Sequence, residues 1–270
     1  MYGFHIKTKN NNINDIIKKM KELKNNNCEL VQIFPDDYVN LKKYIIANKL
    51  KVILHSPFII NASQFFNNNS FTTKLLIENI KFCLNNNIST YVLHNGIVVR
   101  KHNMTTKQAI NNMYKLLYYV CKTLKLNKNK DFKICLELLS GGVNDILYNI
   151  NEFGKFYNIL KNNKYTKNIK VCIDTCHVFS SGYDIRTIDY TKEFIKGLEN
   201  NIGLENIKLI HLNDSFFELN SRKDQHEEIG KGKIGKKSLK YFFNFFYNIN
   251  VNIIFECGGS IKDNLNAVLN

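Results

Sequence analysis

Proline is almost absent from this chain: Pro35 and Pro57 are the only two in 270 residues. No Pro/Gly/Ser-rich linker divides the sequence, so one domain spanning residues 1–270 is expected. Arginine is nearly as scarce, at Arg100, Arg186 and Arg222. The seven cysteines (Cys28, Cys83, Cys121, Cys135, Cys172, Cys176 and Cys257) are odd in number and form no C-x-x-C pair. Most lie in apolar runs, where a free thiol behaves as a small hydrophobe. A disulfide framework and a Cys-rich zinc finger are both excluded on that pattern. No run of about 18 apolar residues occurs, so no membrane span is expected. The start, Met1-Tyr2-Gly3-Phe4-His5, lacks the apolar stretch of a signal peptide, and an intracellular location is expected.

Charge is plentiful but one-sided. Thirty-eight basic residues stand against 23 acidic ones, a formal +15. Such an excess favours a polyanion partner, nucleic acid first. AT-rich coding would enrich Lys, Asn and Ile in the same way, so charge alone does not decide.

Short β-rich runs alternate with longer helical patterns. Candidate strands are Tyr2–Ile6, Leu30–Phe34, Val52–His55, Thr90–His94, Phe132–Glu137, Ile169–Asp174, Ile207–His211 and Val251–Glu256. Ile13–Leu23 reads I-x-x-I-I-x-x-M-x-x-L, a 3.6-residue period, and Phe71–Leu84, Ala109–Leu124 and Leu239–Tyr247 behave alike. The alternation predicts parallel βαβ units. A doubly wound sheet would also satisfy it; the count of eight favours a closed (β/α)8 barrel. The Asn-rich patches Asn10–Asn12, Asn25–Asn27, Asn67–Asn69 and Asn85–Asn87 read as solvated loops and helix ends.

Polar residues end these apolar strands. They are His5, His55, His94, Glu137, Asp174, His211 and Glu256, on seven of the eight. An α/β barrel gathers the carboxyl ends of its strands at one mouth, where its active sites lie. The loops after the sixth and seventh strands add Asp174-Thr175-Cys176-His177 and Asp224-Gln225-His226. His, Asp and Glu are the nitrogen and oxygen ligands of zinc. One His at a strand end is most often a hydrogen-bonded core or loop residue. Several buried carboxylates need cations or donors to offset their desolvation, and a metal cluster supplies that for all of them together.

At these residues the sequence resembles the endonuclease IV family of apurinic/apyrimidinic endonucleases, nearly end to end. Val171-Cys172-Ile173-Asp174-Thr175-Cys176-His177 with Ser181-Gly182-Tyr183-Asp184 is similar to that family's C-I-D-T-C-H…G-Y-D signature. His211-Leu212-Asn213-Asp214-Ser215, followed by Asp224-Gln225-His226 and Ile229-Gly230-Lys231-Gly232-Lys233-Ile234-Gly235, resembles H-L-N-D-S…D-R-H…I-G-x-G-x-I-G. Shorter matches at Gly3-x-His5, His55-Ser56-Pro57-Phe58, His94-x-Gly96, Leu136-Glu137 and Phe255-Glu256 fall in the right order.

The resemblance implies a TIM barrel with three zinc ions at the C-terminal face of the strands. His55, His94 and Glu137 would hold the first. Glu137 would bridge to the second, with Asp174, His211 and Glu256. His177, Asp224 and His226 would hold the third. It also implies a monomer that cuts double-stranded DNA at abasic sites in base excision repair. The cut would fall 5′ to the lesion, leaving a 3′-hydroxyl and a 5′-deoxyribose phosphate, and 3′-blocking groups would be removed as well. Paired metals lower the pKa of bound water and clamp attacking and leaving atoms; Glu137 and Glu256 would orient the attacking hydroxide. Asn213, Arg222, Lys223, Lys231 and Lys233 are expected to contact DNA, mostly through phosphates, which position a substrate without reading its sequence.

The sequence departs from the family pattern in four places. Asn95 follows His94 where Pro is usual, Gln225 replaces Arg, and Phe58 stands where Tyr is common. The loop Phe34-Pro35-Asp36-Asp37-Tyr38 lacks the basic and amide residues that relatives insert into DNA. Tyr38 and Phe58 are candidates for stacking on DNA, with local packing as the alternative for each. Two rival functions use the same barrel or the same charge: a sugar isomerase or epimerase, and a catalytically inactive DNA-binding protein. The third metal group discriminates against the first, and the complete ligand set against the second.

Overall fold

The computed structural model describes residues 1–6 and 13–270; the Asn10–Asn12 patch lies outside the described residues. In chain order the strands are β1 (Tyr2–His5), β2 (Leu30–Ile33), β3 (Lys51–His55), β4 (Thr90–His94), β5 (Lys133–Glu137), β6 (Lys170–Asp174), β7 (Ile207–His211), β8 (Asp214–Ser215), β9 (His226–Glu227) and β10 (Asn252–Phe255). The helices are α1 (Ile13–Asn25), α2 (Pro35–Ala47), α3 (Phe71–Asn85), α4 (Thr106–Thr123), α5 (Ile150–Asn162), α6 (Thr175–Ser180), α7 (Ile188–Asn201), α8 (Lys236–Asn248) and α9 (Ile261–Leu269). Eight strands close into a barrel in the order β1-β10-β7-β6-β5-β4-β3-β2, all neighbours parallel, while β8 and β9 form a small antiparallel hairpin beside it. The doubly wound alternative is therefore excluded: the fold is a (β/α)8 TIM barrel.

Two-residue alternation explains both faces of the strands. Leu30, Ile53, Val92, Cys135, Cys172, Leu209 and Ile254, one from each of seven strands, form a packed layer inside the barrel. Their sequence neighbours, such as Val31, Leu54, Leu93, Leu136, Ile173, Ile210 and Phe255, face outward into the core beneath the helices. Each helix covers them with one apolar stripe: Ile16, Met20 and Leu23 on α1, and Leu239, Phe242, Phe243 and Phe246 on α8. Capping follows the sequence locally. Thr105 and Gln108 form a capping box on α4, and Ser70, Asn149, Thr187 and Ser260 cap α3, α5, α7 and α9.

Two stretches read as loops are helical. Pro35 opens α2 at a position where its missing N–H costs nothing, and Asp36 and Asp37 lie in the first turn, favoured by the helix dipole. Tyr38 is consequently turned into the core at 6% exposure, its ring edge-on to Phe82 at 5.4 Å. This corrects its candidacy for stacking on DNA: the side chain is packed where no base reaches it. The second stretch, after β6, forms α6, with the Asp174 carboxylate capping it by accepting the His177 N–H at 3.0 Å.

The glycine-rich run after β9 owes its shape to one carboxylate. Buried Asp214 accepts the N–H groups of Gly230 (2.9 Å), Gly232 (3.2 Å) and Ile234 (2.9 Å), and that of Ser215 (2.8 Å). A Cβ at Gly232 would meet the Ser215 carbonyl oxygen at 2.5 Å, so only glycine lets the turn close. These N–H groups are thus taken internally, and the loop has only its lysine side chains to offer a phosphate. Asp214→Ala strands several buried donors and is expected to destabilise the fold by about 3 kcal/mol, measured by urea denaturation; a loss below about 1 kcal/mol would contradict this role.

Candidate metal centre

Moving two residues toward the carboxyl end from each inward-layer residue reaches the barrel mouth, still facing inward. Ile53 leads to His55, Val92 to His94, Cys135 to Glu137, Cys172 to Asp174, Leu209 to His211 and Ile254 to Glu256. The same step from Gly3 and Leu30 gives His5 and Gln32. Every barrel strand therefore contributes one polar side chain to the mouth, which opens into a cavity of about 720 Å³ lined by His5, His55, His94, Glu137 and Glu256 among others.

Glu137 is the hub. Its Oε2 lies 3.3 Å from His55 Nε2 and 3.2 Å from His94 Nε2, and its Oε1 lies 3.0 Å from His211 Nδ1. His211 Nδ1 is also 3.1 Å from Glu256 Oε2 and 4.0 Å from Asp174 Oδ2. Beside this, His177 Nε2 approaches Asp224 Oδ2 at 3.1 Å, and His226 Nε2 sits 3.3 Å from Asp224 Oδ1 and 3.4 Å from Asp174 Oδ2. All nine side chains expected as ligands are brought together at this mouth, with Asp174 lying beside His226 as well as near His211. Potential ligand atoms of His55, His94 and Glu137 lie within 4.8 Å of one another, as do those of Asp174, His177 and His226.

The electrostatics fit a cation. Burial alone would raise the Glu137 carboxyl, but His211 and His94 outweigh it and hold the group well below the carboxylate range. The Glu256 carboxyl is likewise opposed by burial and pulled down by His211 and His5. Burial pushes the His211 imidazole down, yet Glu137 and Glu256 lift it to about 9; burial opposes His177 too, and Asp174 and Asp224 hold it well above the usual imidazole range. In the metal-free chain these imidazoles act as the cations for buried carboxylates, and a metal ion would displace their protons.

The backbone prepares two of the rings. His55 Nδ1 donates to its neighbour's carbonyl, Ser56 O, at 2.8 Å, and His177 Nδ1 to Leu138 O at 2.8 Å. Each leaves Nε2, which faces a carboxylate, as the nitrogen that would bind a metal, the arrangement that orients imidazole ligands in metal sites. An all-nitrogen-and-oxygen donor set of this kind suits a divalent ion such as zinc.

Residues 20–262 match the family of xylose isomerase-like TIM barrels. A probable endonuclease 4 of Sulfurihydrogenibium sp. (strain YO3AOP1) is 34% identical over 210 residues, covering 75% of this chain and 71% of the relative. The chain belongs to the endonuclease 4 family. Among solved structures, endonuclease IV from Thermus thermophilus superposes with a TM-score of 0.73 at 20% identity, covering 99% of this chain and 96% of that one. A D-tagatose 3-epimerase-like protein follows at 0.71 and 17% identity, covering 98% and 93%. At those identities the two structures speak for the barrel alone. Endonuclease 4 membership makes the chain an enzyme of the endonuclease class.

The other expected site residues divide. Phe58 is 75% exposed and lines the cavity, its ring 5.6 Å from His94. Asn213 corrects the expectation of a DNA contact: fully buried, it donates from Nδ2 to Asp174 Oδ2 at 2.7 Å and accepts the Glu256 N–H at 2.9 Å. It holds two of the cluster's carboxylate-bearing residues in place. Arg222 stacks over Tyr148 at 4.7 Å and Lys223 over Phe217 at 4.5 Å, both in the segment joining β8 to β9. Lys231 and Lys233 pair with Glu228 and Glu218, each at 2.8 Å on the surface. Such exposed pairs are weak and exchange readily for a phosphate. Sequence reasoning missed Gln32 altogether and left His5 outside the centre, although His5 Nδ1 lies 3.2 Å from Glu256 Oε1. Among the described residues, no helix is long and apolar enough to cross a membrane.

Proposed function

We propose that this member of the endonuclease 4 family is a zinc-dependent apurinic/apyrimidinic endonuclease acting on double-stranded DNA as a monomer. The observation that carries this reading is the third group, His177, Asp224 and His226, standing beside the Glu137 cluster. A sugar isomerase has no evident use for it, whereas phosphodiester hydrolysis must stabilise a leaving oxygen as well as prepare a nucleophile. Zinc ions held by the nine residues would supply Lewis acidity and neutralise phosphoryl charge.

The chain's own groups do the rest. Glu256 would accept a proton from the attacking water, whose oxygen bonds to phosphorus as the P–O3′ bond breaks and the 3′ oxygen takes up a proton. Glu137 holds His55, His94 and His211 in one orientation while this happens. Phe58 overhangs the cavity as an apolar wall or wedge for DNA. An abasic nucleotide has no base to unstack, so bringing it into a 720 Å³ cavity costs little; that supports selectivity for such lesions. The net charge of +15, to which Arg222, Lys223, Lys231 and Lys233 belong, supports backbone contacts. The same chemistry would remove phosphate-type blocks from 3′ ends.

The test is a duplex carrying one tetrahydrofuran abasic analogue, with the product ends mapped. A 3′-hydroxyl upstream and a 5′-phosphate on the lesion are expected. Cleavage on the 3′ side of the lesion would overturn the assigned chemistry.

A further inference from the structure

Gln32 is a fully buried amide at the barrel mouth whose polar atoms both point into the metal centre. It lies two residues beyond Leu30 on β2, facing inward, with no exposed surface. Its Oε1 is 2.9 Å from His211 Nε2; its Nε2 is 2.6 Å from Glu256 Oε1 and 3.0 Å from His5 Nδ1. We infer that Gln32 is a positioning residue for the reaction: one amide selects the nitrogen of His211 and the oxygen of Glu256 that face the metals.

The geometry admits one orientation of the amide. Exchanging its oxygen and nitrogen would set a carbonyl oxygen 2.6 Å from a carboxylate oxygen with no hydrogen between them, which is repulsive. Gln32 Nε2 therefore donates to Glu256 Oε1, with His5 Nδ1 3.0 Å from the same nitrogen. Oε1 accepts from His211 Nε2–H, so Nδ1, which faces Glu137 and Glu256, is the nitrogen that would give up its proton to a metal. That choice is the reverse of His55 and His177, where backbone carbonyls occupy Nδ1 and leave Nε2 free. At His211 the side chain of β2 takes the outward nitrogen instead of a backbone carbonyl.

Glu256 is fixed by the same contact. With Oε1 tied to Gln32, Oε2 is the oxygen left facing His211 Nδ1 at 3.1 Å. His5 backs the assembly from β1, its ring edge-on to Phe34 at 5.0 Å and its Nδ1 3.0 Å from the amide nitrogen and 3.2 Å from Glu256 Oε1. Side chains that orient metal ligands from behind typically govern metal affinity about 10–100-fold.

This inference rests on the zinc reading above, and its test separates the two. Zinc affinity is measured by competition with a chromophoric chelator, independently of DNA, for the parent, Gln32→Leu and Gln32→Glu. Gln32→Leu removes both contacts and is expected to weaken zinc binding by about 10–100-fold and to lower kcat, with KM for abasic duplex near the parent value. Gln32→Glu keeps an acceptor for His211 but sets a second carboxylate against Glu256. It is expected to retain zinc and still lose turnover, a split that a merely structural role would not produce.

Zinc affinity of Gln32→Leu within twofold of the parent, with parental kcat, would overturn the proposal. If that variant fails to fold, parental turnover in Gln32→Glu would overturn it instead. A parent that holds zinc but leaves abasic DNA uncut sinks the nuclease reading, while the zinc arm still decides for Gln32. A parent that binds no zinc overturns both.

Discussion

Replacing Glu137 by alanine is expected to abolish cleavage of abasic DNA, with kcat falling by something on the order of 10⁴-fold. Its carboxylate is the meeting point of the centre: His55, His94, His177 and His211 all lie within 3.4 Å of it. Removing it leaves those imidazoles without their shared anion and takes a ligand from two of the proposed metals together. Metal analysis of the purified variant should show the loss, and a variant with full metal content and parental kcat would refute the hub role. Gly3 and the layer from Leu30 to Ile254 lie beneath the site and are untouched, so the barrel itself should persist.

Glu256→Gln should behave differently. The amide keeps the volume and the hydrogen bond that the backbone N–H of residue 256 makes with Asn213, but it cannot take a proton from water. General-base catalysis contributes about 10²–10⁴-fold, so kcat should drop by about 10³-fold while abasic duplex still binds. Gel-shift titration and single-turnover cleavage separate the two effects. Near-parental turnover would remove Glu256 from proton transfer; loss of DNA binding would recast it as a structural group.

Much of the fold and the centre is legible in the sequence. The eight strands are visible as short apolar runs, and their boundaries fall within two residues of the structure because each run ends where burial ends. Six of the nine cluster residues are legible because His, Asp and Glu are conspicuous at the close of an apolar strand; His177, Asp224 and His226 follow β6 and β7 and are legible through their motifs. Gln32 is not, for two reasons. Its β2 run continues through Ile33 and Phe34, so no polar residue marks a strand end there, and an amide carries no charge to draw notice. Inward-facing phase would have found it, since Leu30, Ile53, Val92 and Cys135 share one layer and each is followed two residues later by a polar group.

Tyr38 and Asn213 show the opposite failure. Both sit in motifs beside the active centre, and both are candidates for DNA contact from sequence alone, Tyr38 with local packing as its alternative. A proline followed by two acidic residues reads as a turn as readily as a helix start; only the helix turns Tyr38 onto Phe82. Asn213 is drawn inside by partners from the ends of β6 and β10, which are 39 and 43 residues away in sequence. Long-range pairings of this kind leave no periodic signal. The lysine pairs at the surface, Lys231 with Glu228 and Lys233 with Glu218, are equally silent in sequence, and they set the competition any phosphate must meet.

The most direct measurement is cleavage itself. Zinc-loaded protein is incubated with the tetrahydrofuran-containing duplex and with an undamaged duplex of the same sequence, each with and without a zinc chelator. The account predicts a single incision in the lesion strand alone, abolished by chelator and restored by added zinc. Intact lesion duplex in the presence of fully zinc-loaded protein would contradict it.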